Sequence, residues 1–204
     1  ARALTGFDRE RLGRLFDRSA RELGLLPALR EVWVPALAEV GAKAHEQAGL
    51  WIAVEHFASA FLRERVLAAL GRRRVPGRPR LALTSPAGDR HELGMLIAAA
   101  ELESRGVPVL YLGPDLPLDA LLAALESARP DALALALTAD LPRREARRLF
   151  ESLRSRRPGL RVYACGRASV PHCNLVRELG AVFLGTDLDR GAQRLAADLA
   201  GGRR

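Results

Sequence analysis

One stretch of the chain sets an acid, an imidazole and glycines at spacings that suit metal chemistry: Ser85-Pro86-Ala87-Gly88-Asp89-Arg90-His91-Glu92-Leu93-Gly94. A neutral imidazole keeps one ring nitrogen free for a metal. A carboxylate on the other nitrogen selects the tautomer and makes the free nitrogen more basic. Asp89, two residues before His91, is placed to be that carboxylate. The same residues admit a plainer reading, in which Asp89 is a helix N-cap and Glu92 completes a capping box. His91 is then a first-turn surface residue, and Gly94 lets the helix pack closely on a sheet. Short motifs match by chance, so the spacing alone leaves both readings open.

The flanking residues say what positions this stretch. Leu81-Ala82-Leu83-Thr84 reads as a strand, and the run from Met95 to Leu102 reads as a helix. A glycine-containing turn therefore delivers Asp89 and His91 to the carboxyl end of a strand, the edge at which open α/β sheets bind ligands. Further strand-like runs follow at 107–112, 131–138, 160–165 and 181–184, with the first at 81–85. Helices between them are expected to begin near Glu92, Leu118, Arg143 and Pro171, and the last near Arg190. Five βα units with short connections predict an α/β fold, a doubly wound, five-stranded parallel sheet of Rossmann-like or flavodoxin-like order. The run 131–138 is apolar on both faces, as a buried central strand should be. No G-x-G-x-x-G follows any strand, which disfavours a nicotinamide or flavin dinucleotide site.

Ahead of the sheet, residues 4–74 read as helical throughout. Phe7, Leu12, Leu15, Phe16 and Ala20 recur at helical spacing, with breaks at Gly24 and Gly49, and Pro35 is tolerable near a helix start or at a kink. The expectation is a bundle of about four helices over 1–74, a basic, proline-punctuated linker over 75–80, and the sheet domain over 81–204.

At 204 residues, 49% hydrophobic and 27% charged, the chain has the composition of an ordinary globular protein. No apolar run approaches the roughly 20 residues of a membrane span, and no signal peptide is visible. Two cysteines, Cys165 and Cys173, suit a reducing compartment. The expectation is a cytoplasmic protein. Of 32 basic residues only Lys43 is lysine, and the arginines that make the net charge +8 are scattered. No helix-turn-helix pattern appears, so specific DNA binding by this chain alone is not expected. The chain opens on Ala1 rather than Met, which fits a fragment with an output domain or partner protein elsewhere.

Asp89-Arg90-His91-Glu92-Leu93-Gly94 resembles the D-x-H-x-x-G signature of the methionine-synthase-type cobalamin-binding fold. From about Glu31 to the C-terminus, the chain is similar to the light-sensing CarH/LitR-type regulators of the MerR family. The resemblance implies cobalamin as cofactor, held between a helical bundle that caps the corrin and a sheet that takes the nucleotide tail. It implies His91 as the lower axial cobalt ligand, with Asp89 behind it and Gly94 beside it. Thr138-Ala139-Asp140 stands where the family has S-x-L: Thr138 keeps the hydroxyl and Asp140 departs from the Leu. Cys165-Gly166 stands where the family usually has Gly-Gly, so Cys165 narrows the tail passage, and Met95 to Ala100 forms a small-residue helix face beside it. Taken singly, these residues also read as a strand-end hydroxyl, a buried Cys and ordinary core.

Glu55-His56-Phe57-Ala58-Ser59 resembles the E-H-x-A-S stretch of the same regulators, which implies His56 as an upper cobalt ligand after light cleaves the upper bond. The family carries a Trp about ten residues before that His. This chain instead has Lys43-Ala44-His45-Glu46 there, with a one-residue insertion before Trp51. Either Trp51 has taken over the shielding, or the space is open to solvent, to His45, to a different upper ligand, or to a second tetrapyrrole such as biliverdin. Adenosylcobalamin is the expected form, with hydroxo- and methylcobalamin as alternatives.

Two function classes follow. One is a cobalamin-dependent sensory module, a photoreceptor or transcription regulator acting through changed association as a homo-oligomer. The other is a corrinoid protein shuttling a methyl group between methyltransferases. A third reading is a flavodoxin-like domain that binds no corrin. With no triad, no paired catalytic carboxylates and no zinc spacing in the sequence, the chain is not expected to be an enzyme in its own right.

Overall fold

The computed structural model describes residues 2–73, 75 and 80–201. The chain divides into two compact units, Ala1–Gly71 and Arg72–Arg204. Most of the expected linker, 76–79, lies outside the described residues.

The first unit is helical: α1 (Arg2–Thr5), α2 (Arg9–Leu23), α3 (Leu25–Ala28), a π-helical turn (Leu29–Trp33), α4 (Val34–Gln47) and α5 (Leu50–Arg73). Because α3, the π turn and α4 run on without a break, these make four helical stretches. Asp8 starts α2 by accepting the Arg11 N–H at 2.9 Å, and Gly24 ends it at φ 87°. The π turn sits directly ahead of Pro35. A proline has no N–H to give and its ring crowds the carbonyl four residues back, so a widened turn accommodates it where a regular helix would break. The core is aromatic. Phe16, Trp33 and Phe61 pack with centroids 5.4, 5.9 and 6.1 Å apart, and the Trp33 Nε1–H donates to Ser19 Oγ at 2.9 Å. Leu12, Leu29, Val54, Leu62 and Val66 are buried around them, each worth roughly 2 kcal/mol of hydrophobic stabilisation.

The second unit is an all-parallel sheet of β1 (Leu81–Thr84), β2 (Val109–Tyr111), β3 (Ala132–Ala136), β4 (Arg161–Cys165) and β5 (Val182–Gly185), in the order β2-β1-β3-β4-β5. This is the flavodoxin-like order. The helices are α6 (Leu93–Ser104), α7 (Leu118–Ala128), α8 (Arg143–Arg156), α9 (Cys173–Glu178) and α10 (Leu188–Gly201), with a 3-10 turn (Arg167–His172) ahead of α9. Strands β1 and β3 are buried along their whole length, as their unbroken apolar runs require. Helix α6 is buried on nearly all sides: Met95, Leu96, Ile97, Ala99 and Ala100 are inaccessible, consistent with a helix hydrophobic all round. The chain leaves β1 for β2 on one side and then crosses to β3 on the other, so the order reverses between β1 and β3. A crevice opens at such a switch point, outside the carboxyl ends of the strands. Among the described residues, no helix is long and apolar enough to cross a membrane.

Candidate functional site

The in-register pairs Thr84–Leu135 and Ala136–Cys165 bring the carboxyl ends of β1, β3 and β4 level. The segments that follow them therefore meet at the switch point: 85–92, 137–142 and 166–172. Asp89 is the residue that joins the first to the second. Its Oδ2 accepts the backbone N–H groups of Thr138 at 2.5 Å and Ala139 at 2.9 Å. Its Oδ1 accepts the His91 N–H at 3.1 Å and lies 2.9 Å from His91 Nδ1. The Asp89 side chain is 4% exposed and that of His91 is 54% exposed.

Burial would raise the Asp89 carboxyl. The Thr138 and Ala139 N–H groups, the His91 ring and the His91 N–H outweigh it and hold the carboxyl below its ordinary value of 3.8. Asp89 is thus ionised at neutral pH, and an ionised carboxylate only accepts hydrogen bonds. The proton between the two side chains therefore belongs on His91 Nδ1, and in the neutral form of the ring the lone pair is on Nε2.

The capping-box reading fails on this geometry. Helix α6 begins at Leu93 with Glu92, not Asp89, in the cap position, and no side chain caps it. Glu92 Oε1 instead accepts the Tyr111 hydroxyl at 3.0 Å. The helix–sheet packing role for Gly94 fails as well: a Cβ there would meet no atom within 4 Å. Gly94 faces open space, three residues after His91.

Gly166 is needed for the opposite reason. It sits at φ 92°, and a Cβ on it would lie 2.5 Å from the Leu137 carbonyl oxygen. That carbonyl accepts the Ala168 N–H, and the Leu137 N–H donates to the Cys165 carbonyl. The backbones after β3 and β4 therefore approach more closely than any side chain permits. Cys165, at the end of β4, directs its thiol to the Leu135 carbonyl at 3.6 Å, and burial pushes that thiol up to about 11. The Thr138 carbonyl accepts Arg167 Nε at 2.8 Å. Asp140 is exposed.

Two residues at this edge escaped the sequence reading. Ser85 Oγ donates to the Asp89 carbonyl at 2.6 Å. Asp115, in the turn after β2, accepts the Gly88 N–H at 2.7 Å and Arg90 Nε at 3.2 Å. The only sequence signal for Asp115 is its place in Gly113-Pro114-Asp115, a turn composition.

The remaining expected residues lie in the helical unit, Trp51, Glu55 and His56 on α5 and His45 on α4. His56 is exposed, and no described residue hydrogen-bonds its ring. Glu55 Oε1 accepts the Ser59 hydroxyl at 2.7 Å. The half-buried Trp51 carries the Lys43 ammonium 4.6 Å from its ring centroid. His45 is exposed in the last turn of α4.

The donor set at the sheet edge fits a metal that arrives inside its own macrocycle. It offers one half-exposed imidazole whose Nδ1 side is engaged by Asp89, with open space at Gly94 three residues further on. Among the described residues, no three His, Cys, Asp or Glu side chains group as a metal site.

The fold is an open parallel sheet with a crevice at its switch point, preceded by a helical unit, and the comparisons with known proteins say which family it serves. The B12 binding domain model matches residues 79–188, more than half the chain, and the chain belongs to that family. It is 36% identical over 154 residues to the HTH-type transcriptional repressor CarA of Myxococcus xanthus, covering 74% of this chain and 50% of that protein. It is 31% identical over 191 residues to the HTH-type transcriptional repressor CarH of the same organism, covering 92% and 64%. The chain thus spans between half and two thirds of the length of these relatives. The Methanosarcina barkeri monomethylamine corrinoid protein superposes with a TM-score of 0.73 at 18% identity, over 96% of this chain and 94% of that one. A cobalamin-binding protein from Desulfitobacterium hafniense DCB-2 does so with 0.51 at 20%, over 96% and 95%. These two likenesses show the fold.

Proposed function

We propose that the chain is a cobalamin-binding sensory module in which His91 is the lower axial ligand and His56 is the candidate upper ligand. The observation that carries the reading is the Asp89–His91 pair: four hydrogen bonds fix the carboxylate, and the carboxylate fixes the tautomer that leaves Nε2 free. A bound adenosylcobalamin would supply light-sensitive cobalt chemistry. His91 would hold the cobalt, and Asp89 would orient the ring by accepting from its Nδ1 side. Thr138, Cys165 and Gly166 are the residues that would border its nucleotide tail, as their likeness to the family's motifs implies. No described residue hydrogen-bonds the His56 imidazole, and the likeness of Glu55–Ser59 to the E-H-x-A-S stretch is what nominates it as a second ligand. The names of CarA and CarH, both transcriptional repressors, support a regulatory output over methyl transfer, exerted through a DNA-binding part or partner and through changed self-association.

The test is the visible spectrum and affinity of the purified protein with adenosyl- and hydroxocobalamin, against His91→Ala. The wild type should bind base-off with the imidazole bound, and the variant should bind more weakly with a shifted spectrum at neutral pH. Identical spectra and affinities would remove His91 from the site.

A further inference from the structure

Asp115 is one of four non-glycine residues with positive φ among the described residues, at 60°. Such a conformation is sparsely populated for a side-chain-bearing residue and persists where its surroundings over-determine it. Here they do. The Asp115 N–H donates to the Asp89 carbonyl at 3.0 Å and approaches Ser85 Oγ at 3.1 Å. Ser85 Oγ donates to the same Asp89 carbonyl at 2.6 Å. One carboxylate oxygen of Asp115 takes the Gly88 N–H at 2.7 Å, and the other takes Arg90 Nε at 3.2 Å. One residue on the neighbouring strand's loop thus grips the segment before Asp89, Asp89 itself, and the residue between Asp89 and His91.

We infer that Asp115 is a positioning residue for the metal-binding loop, holding the backbone of 88–90 so that Asp89 and His91 meet before any corrin arrives. The inference rests on the reading of His91 as the cobalt ligand and extends it to a residue on a different strand. Asp89 fixes the imidazole only if its own main chain is fixed. Its carboxylate is anchored to the β3 side at Thr138 and Ala139, and its carbonyl to the β2 side at Asp115. With both anchors, the carboxylate and the ring keep their geometry without help from the ligand, and binding has less conformational freedom to remove. Without the Asp115 carboxylate the Gly88 N–H loses its partner, and Gly88 at φ 88° becomes a free hinge adjacent to Asp89, the ring's partner. The Gly88 N–H and the Arg90 guanidinium also hold the Asp115 carboxyl below the ordinary carboxylate range, so it is an acceptor at neutral pH.

The test compares wild type, Asp115→Gly and Asp115→Asn as apoproteins. Glycine keeps the positive φ and deletes the carboxylate. Asparagine tolerates the same φ and keeps an acceptor for the Gly88 N–H. Long-range 15N–1H spectra of the histidine rings, with the His91 signal assigned by its loss in His91→Ala, report which nitrogen carries the proton. Wild type and Asp115→Asn should show the Nδ1–H form. Asp115→Gly should show a tautomer mixture, with hydroxocobalamin affinity about 10-fold weaker, as loss of support behind a metal ligand costs. Asp115→Gly keeping both the pure tautomer and wild-type affinity overturns the inference, as does Asp115→Asn failing to the same extent as Asp115→Gly. Should the glycine variant not fold, Ser85→Ala removes the hydroxyl shared by the Asp89 carbonyl and the Asp115 N–H, a second tie between the same two loops, and must give the mixed tautomer instead. A pure Nδ1–H form there also overturns it. The tautomer is read without cobalamin, so it decides the role of Asp115 independently. The His91→Ala spectrum with cobalamin decides the ligand assignment separately.

Discussion

Asp89 Oδ2 accepts the backbone N–H of Thr138 from across the switch point of the sheet, 49 residues further along the chain. The carboxylate behind the imidazole is therefore also the pin between the loops after β1 and β3. Asp89→Asn should cost more than a tuning residue would. An amide offers one acceptor oxygen for the Thr138 and Ala139 pair and turns its NH2 toward the His91 N–H, or the reverse. Losing a buried hydrogen bond to a charged group costs about 2 kcal/mol. Urea unfolding of the apoprotein should show that loss, and cobalamin affinity should fall roughly 10–100-fold. An unaltered midpoint would mean the pin carries no stability.

Gly166→Ala should destabilise the sheet unit by about 3 kcal/mol, since a positive φ and a 2.5 Å approach to the Leu137 carbonyl act together. The obstacle is backbone on a paired segment and cannot swing aside. Chemical denaturation checks it; a change within 0.5 kcal/mol, the range of an ordinary surface substitution, would contradict the close approach.

Gly94→Ala should do the reverse to stability and still harm function. The new methyl meets no protein atom, and alanine favours helix, so the apoprotein should gain roughly 0.5 kcal/mol. If a corrin occupies the space at Gly94, the same methyl intrudes on it. The expected result is a higher melting temperature with weaker cobalamin binding. A variant that is more stable and binds equally well would place the ligand elsewhere.

Cys165 should alkylate slowly. Its thiol is raised by burial to about 11 from an ordinary 9.0, and the thiolate is the reactive form. At pH 8 the thiolate fraction is about 0.1%, roughly 100-fold below that of an ordinary thiol at 9.0. The rate with iodoacetamide should rise about tenfold per pH unit up to pH 10, because the group is still below its pKa throughout. Mass spectrometry of timed samples follows it; fast labelling at pH 8 would show an accessible thiol.

His56 is tested by light. Loaded with adenosylcobalamin and illuminated, the wild type should reach a spectrum with two imidazole ligands and change its hydrodynamic size. His56→Ala should reach neither. If the variant behaves as wild type, His45 becomes the next residue to replace. If neither protein responds to light, methyl transfer becomes the better account of the module.

Several features were decided by the chain's own order of residues. The switch from helical to strand periodicity near Pro79, the five apolar runs and the Asp-x-His-x-x-Gly turn are local, and local pattern sets which elements form. Strand order follows nearly as directly, because short right-handed crossovers leave few alternatives. The boundaries shifted by one or two residues at strand ends, and the 3-10 turn Arg167–His172 preceded the helix expected from Pro171.

What the sequence left open was the choice between two roles for Asp89. An N-cap and a histidine partner have the same spacing, and only the arrival of Thr138 and Ala139 from the next parallel strand decides between them. Those two N–H groups take the lone pairs that would otherwise face the helix start and keep the carboxylate ionised in a buried place. Asp115 was invisible for the same reason. Its φ of 60° and its grip on Gly88 and Asp89 come from β2 lying beside β1, a neighbour relation that exists only once the sheet has formed.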